Sequence, residues 1–401
     1  MPLLPEPLSS LDFRERARRR LPRPIFDFID GGAGEEGALT RNRTAFAQVQ
    51  WIPRVLHPCT QRNLGVSLWG QALGAPMGIS PMGLGELAWP GTDRALMAAA
   101  RRHRIPYVLS TAASTTVEDC AERCDGMAWF QIYPLDDIGQ TRRLVARAAA
   151  AGLRHLVLTV DAAHPGLRLR DRRSGFGRSL WRHPASLAAY LRHPAWSLGT
   201  LAHGRPRMVN LGEDGHPASA SPQTLIASMA RARLDWTTLQ QIRDLWPHRL
   251  IVKGVLDPAA AQPLRQAGVD AIQLSNHGGR QLGSAISPLQ TLARFRAILG
   301  RDFPIFLDSG VRTGEDVAKA LALGADVAFL GRGWLYACAA LPPATGAELA
   351  ARLLQAELDN TLAQLGATGI AELQSHPFAT LPEAGRPDTP HEPAAPGALR
   401  P

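Results

Sequence analysis

From about Met77 to Trp334, short apolar runs alternate with amphipathic stretches. The runs are Met77–Ser80, Tyr107–Ser110, Trp129–Ile132, Leu156–Val160, Leu250–Lys253, Ala271–Leu274, Ile305–Asp308 and Val327–Leu330. Their length and near-continuous hydrophobicity suit strands buried on both faces. Most are followed by Ala/Leu/Arg-rich segments of helical period, among them Asp93–His103, Gly139–Ala151, Pro258–Ala267 and Gly314–Leu323. Eight strand–helix units of this kind predict an α/β fold closed into a (β/α)8 barrel, the TIM barrel. No run leads into a Gly-x-Gly-x-x-Gly turn, which argues against an open doubly wound sheet.

In such a barrel the chemistry gathers at the C-terminal ends of the strands. Those ends carry Ser80-Pro-Met-Gly83, Ser110-Thr111, Gln131 with Tyr133, Thr159 with Asp161, and Lys253. They continue with Ser275-Asn-His-Gly-Gly-Arg280, Asp308-Ser-Gly-Val-Arg312 and Gly331-Arg332. A polar, charged or glycine residue at every strand end exceeds what turns alone require.

Two regions stand outside the strand–helix pattern. After the fourth run, about sixty residues separate Asp171 from Asp235, more than an ordinary barrel loop. Arg172 to Gly212 contains no acidic residue but holds Arg172, Arg173, Arg178, Arg182, Arg192, Arg205 and Arg207, interleaved with Trp181, Tyr190, Trp196 and leucines. This long basic insertion after strand 4 reads as a membrane-interfacial segment, with a mobile loop or an oligomer contact as the alternative. The tail carries seven prolines in the twenty-five residues from Pro377 and reads as disordered. The expected organisation is a barrel domain over 1–375, with the insertion at 172–212, and a disordered tail over 376–401.

Composition narrows the picture. A 45% hydrophobic and 20% charged chain folds as a globular protein. No run approaches the ~18 apolar residues of a spanning helix. Four cysteines, Cys59, Cys120, Cys124 and Cys338, are too few for a disulfide scaffold and lack partners for a metal site. No metal is expected. With no secretory h-region at the N-terminus, a cytoplasmic location follows. The net charge of +9 invites a nucleic-acid reading. No recognition helix or zinc module accompanies it, so no nucleic-acid partner is expected.

Lysine is rare here: only Lys253 and Lys319 break an arginine-rich pattern. At the end of an otherwise apolar run, Lys253 reads as a fixed cation facing an anion, or as a Schiff-base lysine. His277 precedes two glycines that let backbone approach a ligand, and Arg280 offers a planar fork for a carboxylate. A base beside a carboxylate clamp suits oxidation next to a carboxyl group. Asp161 could orient the imidazole, and Arg168 could give a second carboxylate contact. Glycine amides with Arg312 and Arg332 after the seventh and eighth runs suit a phosphate.

The Ser275-Asn-His-Gly-Gly-Arg-Gln281 signature resembles that of the FMN-dependent 2-hydroxy acid oxidoreductases, and the resemblance runs from about Leu21 to Leu373. The stretches Leu109–Ala112, His193–Leu198, Ile242–His248 and Ala285–Pro288 are similar to its membrane-associated (S)-mandelate dehydrogenases. The resemblance implies that His277 is the base, supported by Asp161. Arg168 and Arg280 would hold the substrate carboxylate and Tyr133 the substrate hydroxyl, while Lys253 would face the flavin N1/C2-carbonyl edge. It further implies flavin contacts from Pro81, Met82 and Gly83, and from Ser110, Gln131, Thr159 and Ser275. Asp308, Gly310, Arg312, Gly331 and Arg332 would hold the ribityl chain and phosphate.

Particular positions refine that expectation. Ala112 stands where the family's glycolate oxidases have Trp, which implies room for a bulky side chain. Gly83 stands where its oxidases tend to carry Ala, which resembles the dehydrogenases that pass electrons to a quinone. Phe28 stands where the family's carboxylate-binding Tyr is found, and Gly283 where Asp is usual. The resulting expectation is FMN-dependent oxidation of an (S)-2-hydroxy acid, mandelate-like or otherwise bulky, to the 2-oxo acid. The electrons would pass to a membrane quinone. A lactate dehydrogenase, a peroxide-forming oxidase, or an FMN protein with a changed substrate are the alternatives. The family also suggests a homotetramer, peripheral on the inner face of the cell membrane.

Overall fold

All eight apolar runs form strands of one closed parallel barrel. In this computed structural model they are β1 (Met77–Ile79), β2 (Tyr107–Ser110), β3 (Ala128–Ile132), β4 (His155–Thr159), β5 (Arg249–Val255), β6 (Ala271–Leu274), β7 (Ile305–Leu307) and β8 (Val327–Leu330). They pair in sequence order, and β8 returns to β1. The structure describes residues 6–177, 184–211, 225, 228–229, 231–232, 234–376 and 378–380.

The helices follow the expected periods. Thr92–His103, Ile138–Ala150 and Gly314–Ala322 lie close to the predicted segments. Thr313 and Asp316 form a capping box that starts the third of these, and Asp137 caps the second through Gly139 N. The segment expected at Pro258–Ala267 divides into a 3-10 turn, Pro258–Ala260, and a helix, Ala261–Gln266.

Aromatic side chains fill the barrel. Trp129, Phe306 and Phe329 meet with ring centroids 5.5–5.7 Å apart. A Cβ at Gly78 of β1 would stand 2.5 Å from the Phe329 ring, so only glycine leaves room there. A hairpin, Val66–Leu68 with Gln71–Leu73, closes the N-terminal end. Its Trp69 stacks on His155, which stacks in turn on Trp129.

The insertion after β4 is folded where it is described. It forms the helices Leu169–Ser174, Pro184–Leu191 and Pro194–His203. Trp196 Nε1 donates to Leu87 O at 3.0 Å, in the loop after β1. Asn210 Nδ2 donates to Thr115 O at 2.9 Å and its Oδ1 accepts from Val117 N, after β2. These bonds dock 184–211 on the barrel, against the alternative of a mobile loop there, through groups that charge counting does not weigh. Arg178, Trp181 and Arg182 lie outside the described residues.

A correction concerns the tail. Phe378–Thr380 pairs antiparallel with Val49–Trp51, and buried His376 lies 2.9 Å from Ile52 O through Nε2. Order therefore extends past the boundary drawn at 376, because backbone pairing here outweighs a proline-rich composition. Residues 381–401 lie outside the described residues.

Candidate active site

The strand ends converge on one cleft. A cavity of about 220 Å³ is lined by Ser80, Pro81, Met82, Gly83, Tyr133, Thr159, Arg168, Lys253, His277, Arg280, Asp308, Gly310, Arg312, Gly331 and Arg332, with Phe28 and Ser309. These residues come from every strand end of the barrel except that of β2.

His277 stands at its centre. Its φ is +57°, in the left-handed region, and Gly278 and Gly279 follow at +65° and +73°. Three successive positive φ values turn the chain sharply back after β6, and a non-glycine residue held there is strained. The turn is held by Ser275 Oγ, which accepts from His277 N at 3.0 Å, and by Ser309 Oγ, which accepts from Gly278 N at 2.9 Å. His277 Nδ1 lies 3.0 Å from Asp161 Oδ1. A carboxylate there fixes the proton on Nδ1 and leaves Nε2 as the basic atom. Burial pushes the imidazole below its ordinary value, against the pull of Asp161, and Lys253 and Arg168 add to the fall. Burial acts to raise Asp161, but His277 and Lys253 hold it below the usual carboxylate range.

Lys253 is 3% exposed. Its Nζ donates to Ser275 Oγ at 2.8 Å and lies 3.3 Å from Asp308 Oδ2. Burial opposes its charge most strongly, but Asp308, Asp161 and Tyr133 together hold the ammonium above its ordinary value. It is therefore a cation throughout the physiological range. A Schiff-base role, which needs a free amine, does not fit it.

The two arginines expected to hold a carboxylate both line the cleft. Arg168 Nε is buried without a partner among the described residues. Arg280 Nη1 donates to Phe28 O at 2.6 Å and Gly31 O at 3.1 Å, and its guanidinium carbon lies 5.0 Å from the Phe28 ring centre. Burial lowers the pKa of both groups, and the charges of Arg168 and Arg332 lower Arg280 further, so an anion held by the pair would relieve that cost. Phe28 itself stacks on Phe176 of the insertion, with centroids 4.2 Å apart.

At the end of the cleft expected to hold a phosphate, the Arg312 guanidinium donates to Val311 O at 2.8 Å, and burial pushes its pKa down to about 10. Arg332 differs from the expectation. Its Nε, Nη1 and Nη2 donate to the carbonyls of Ile29, Gly278 and Gly31. Those three bonds strap the helix Arg23–Asp30 to the His277 turn, leaving two of its five N–H groups for a ligand.

Four expected residues sit behind the cleft surface. Ser110 Oγ donates to Gln131 Oε1 at 3.1 Å, while Ser275 acts through Lys253 and His277. Ala112 is the clear correction. It does not line the cavity but is buried behind Gly83, whose added Cβ would fall 2.9 Å from the Ala112 Cβ. The glycine and the alanine are one packing feature, which linear sequence could not reveal. Gly283 is also explained by packing, since a Cβ there would stand 2.8 Å from Ala33 O.

Sequence reasoning missed several participants. Gln281 Nε2 donates to Asp161 O at 3.1 Å and its Oε1 accepts from Gly166 N, fixing the Asp161 loop. Gln273 donates to Asp308, and Phe176 reaches Phe28 from far along the chain. Gln281 closes the Ser275–Gln281 signature but had no role assigned, and Gln273 left a signal as an amide within an apolar run.

The donors present fit a flavin mononucleotide. Ser80 Oγ, Gln131 Nε2 and Thr159 Oγ1 are buried without partners among the described residues, beside a buried cation. Such groups call for a heteroatom-rich ligand. A closed α/β barrel with a His–Asp pair, a buried lysine and several arginines around one cleft suits a flavin-dependent oxidoreductase. The chain belongs to the FMN-dependent dehydrogenases, whose family matches residues 17–380. It is 39% identical to (S)-mandelate dehydrogenase of Pseudomonas putida over 90% of this chain and 91% of that protein. It is 36% identical to L-lactate dehydrogenase of Chromohalobacter salexigens over 93% and 95%. Among solved structures, the monotopic membrane protein (S)-mandelate dehydrogenase superposes with a TM-score of 0.86 at 38% identity, covering 94% of this chain and all of that one. A mandelate oxidase complex superposes with a TM-score of 0.77 at 30% identity over 93% and 99%.

Proposed function

We propose that the protein oxidises an (S)-2-hydroxy acid with a bulky, mandelate-like side chain to the 2-oxo acid and delivers the electrons to a membrane quinone. The observation that carries this reading is the His277–Asp161 pair set between Lys253 and the two buried arginines. Bound FMN supplies the two-electron acceptor. Arg168 and Arg280 hold the substrate carboxylate, with the unpartnered Arg168 Nε as one donor. Tyr133 hydrogen-bonds the substrate hydroxyl. Nε2 of His277 takes the proton released on oxidation, and Asp161 supports the imidazolium that results. Lys253, Thr159, Gln131 and Ser80 would hold the flavin ring, while Asp308, Gly310, Arg312, Gly331 and Arg332 would hold its ribityl phosphate.

The test is an anaerobic visible spectrum before and after (S)-mandelate and then (S)-lactate. Bleaching of the flavin band by mandelate ahead of lactate supports the reading. Phe28 favours a second reading, in which the substrate has changed: its ring offers no donor where a phenol would meet the carboxylate. A flavin band untouched by both acids would favour that alternative.

The same proposal places the enzyme peripherally on the inner face of the membrane. Leu198 and Leu201 of the helix Pro194–His203 are 65% and 71% exposed, while Trp196 and Thr200 are buried against the barrel. Arg192, Arg205 and Arg207 are exposed around them. Apolar side chains ringed by arginines suit an anionic lipid interface. No helix among the described residues is long and apolar enough to cross a membrane. A homotetramer completes the proposal; exposed Val55 and Leu56 offer apolar surface for it, and sizing the purified protein tests it.

A further inference from the structure

One polar side chain beneath the cleft has no part in the chemistry above. Gln273 is fully buried on β6, where Ala271, Ile272 and Leu274 are apolar and equally buried. An amide in such a strand is costly unless it is bonded. Its Nε2 donates to Asp308 Oδ2 at 2.8 Å, and its Oε1 has no partner among the described residues. Strand register sets Gln273 beside Lys253 of β5 and Phe306 of β7. Residues paired in register lie on the same face of a sheet, so the amide and the ammonium share one layer of the barrel.

The two donors also share one oxygen. Asp308 Oδ2 takes the Gln273 amide and stands 3.3 Å from Lys253 Nζ, while Oδ1 takes Ser309 Oγ at 2.7 Å. The charge of Asp308 is thus divided between a cation and a neutral donor. Removing the neutral donor would leave that oxygen to Lys253 alone and tighten the ion pair. In a site this buried, charge neutralised within the pair is charge withheld from the ligand above it.

We propose that Gln273 is a positioning residue: by engaging Asp308 it keeps the Lys253 charge available to the flavin and so raises the reduction potential of the bound cofactor. The inference rests on the reading that Lys253 faces the flavin ring.

The experiment is the midpoint potential of the FMN-loaded protein, measured anaerobically by equilibration with a reference dye. The proteins compared are wild type, Gln273→Leu, Gln273→Met and Lys253→Met. FMN content and thermal midpoint are recorded for each. Gln273→Met keeps the length of the side chain in case leucine packs poorly. Gln273→Leu is expected to shift the two-electron reduction equilibrium three- to tenfold against the reduced state, tenfold being about 30 mV. Its FMN content should match wild type. A potential equal to or above wild type in both Gln273 variants, while Lys253→Met lowers it, overturns the proposal alone. A Lys253→Met protein with the wild-type potential overturns the reading of Lys253 and the proposal with it.

Discussion

At the residue scale, the site works by environment more than by residue type. His277 is an ordinary imidazole made a better-defined base by burial and by the carboxylate at its Nδ1. Replacing His277 with Ala should leave FMN bound and slow its reduction by substrate roughly 10²–10⁴-fold, the range for a lost general base. Stopped-flow reduction checks this. Because burial lowers the pKa of His277, the basic form persists below pH 6.5 in the free enzyme. The acid limb of kcat/KM should therefore fall at a pH below that value, and Asp161→Asn should move it lower still, since Asp161 is what raises it. Phe28→Tyr should restore a donor to the substrate carboxylate. A hydrogen bond to a charged group contributes about 1.5–3 kcal/mol, or some tenfold to a hundredfold in kcat/KM on mandelate or lactate. The parallel stack on Phe176 leaves the ring in place for that comparison.

At the scale of elements, the insertion after β4 both docks on the barrel and presents a different face outward. Trp196 and Thr200 face inward, whereas Leu198 and Leu201 face out. Leu198→Glu with Leu201→Glu should release the protein from anionic vesicles in a sedimentation assay. Its thermal midpoint should barely move, because exposed substitutions rarely exceed about 0.5 kcal/mol. Trp196→Phe keeps an aromatic ring but removes the bond to Leu87 O and part of the buried surface of the indole. It should lower stability by about 1–3 kcal/mol. The eight strands were legible in the sequence because each is a short apolar run with a polar end. The docking of the insertion was not, because its bonds go to backbone carbonyls and amides far away in sequence, which no residue pattern marks.

At the scale of the whole molecule, the closed end of the barrel sets a pH dependence separate from the active site. His155 lies between Trp69 and Trp129, and burial, reinforced by Arg249, pushes its pKa down to about 4. The unfolded chain takes up a proton near pH 6.5 while the folded chain does not. Its contribution is fully present above pH 6.5 and is lost as pH falls toward 4, by up to about 3 kcal/mol. Urea unfolding of wild type and His155→Phe at pH 7.5 and 4.5 checks this: the variant should lose less stability over that interval.

What the sequence determined by itself was local and periodic. Eight apolar runs, their helices and the chemistry at their ends identify the barrel and bring His277, Asp161, Lys253, Arg168 and Arg280 to one rim, because strand direction alone sends those ends the same way. The tertiary structure decided what depends on distance across the barrel. It moved Ala112 behind Gly83, tied up three donors of Arg332, laid Phe176 on Phe28 and set Gln273 beside Lys253. Each is a contact between segments far apart in the chain. Packing and hydrogen-bond geometry act through space, so such contacts leave little or no trace in the order of residues.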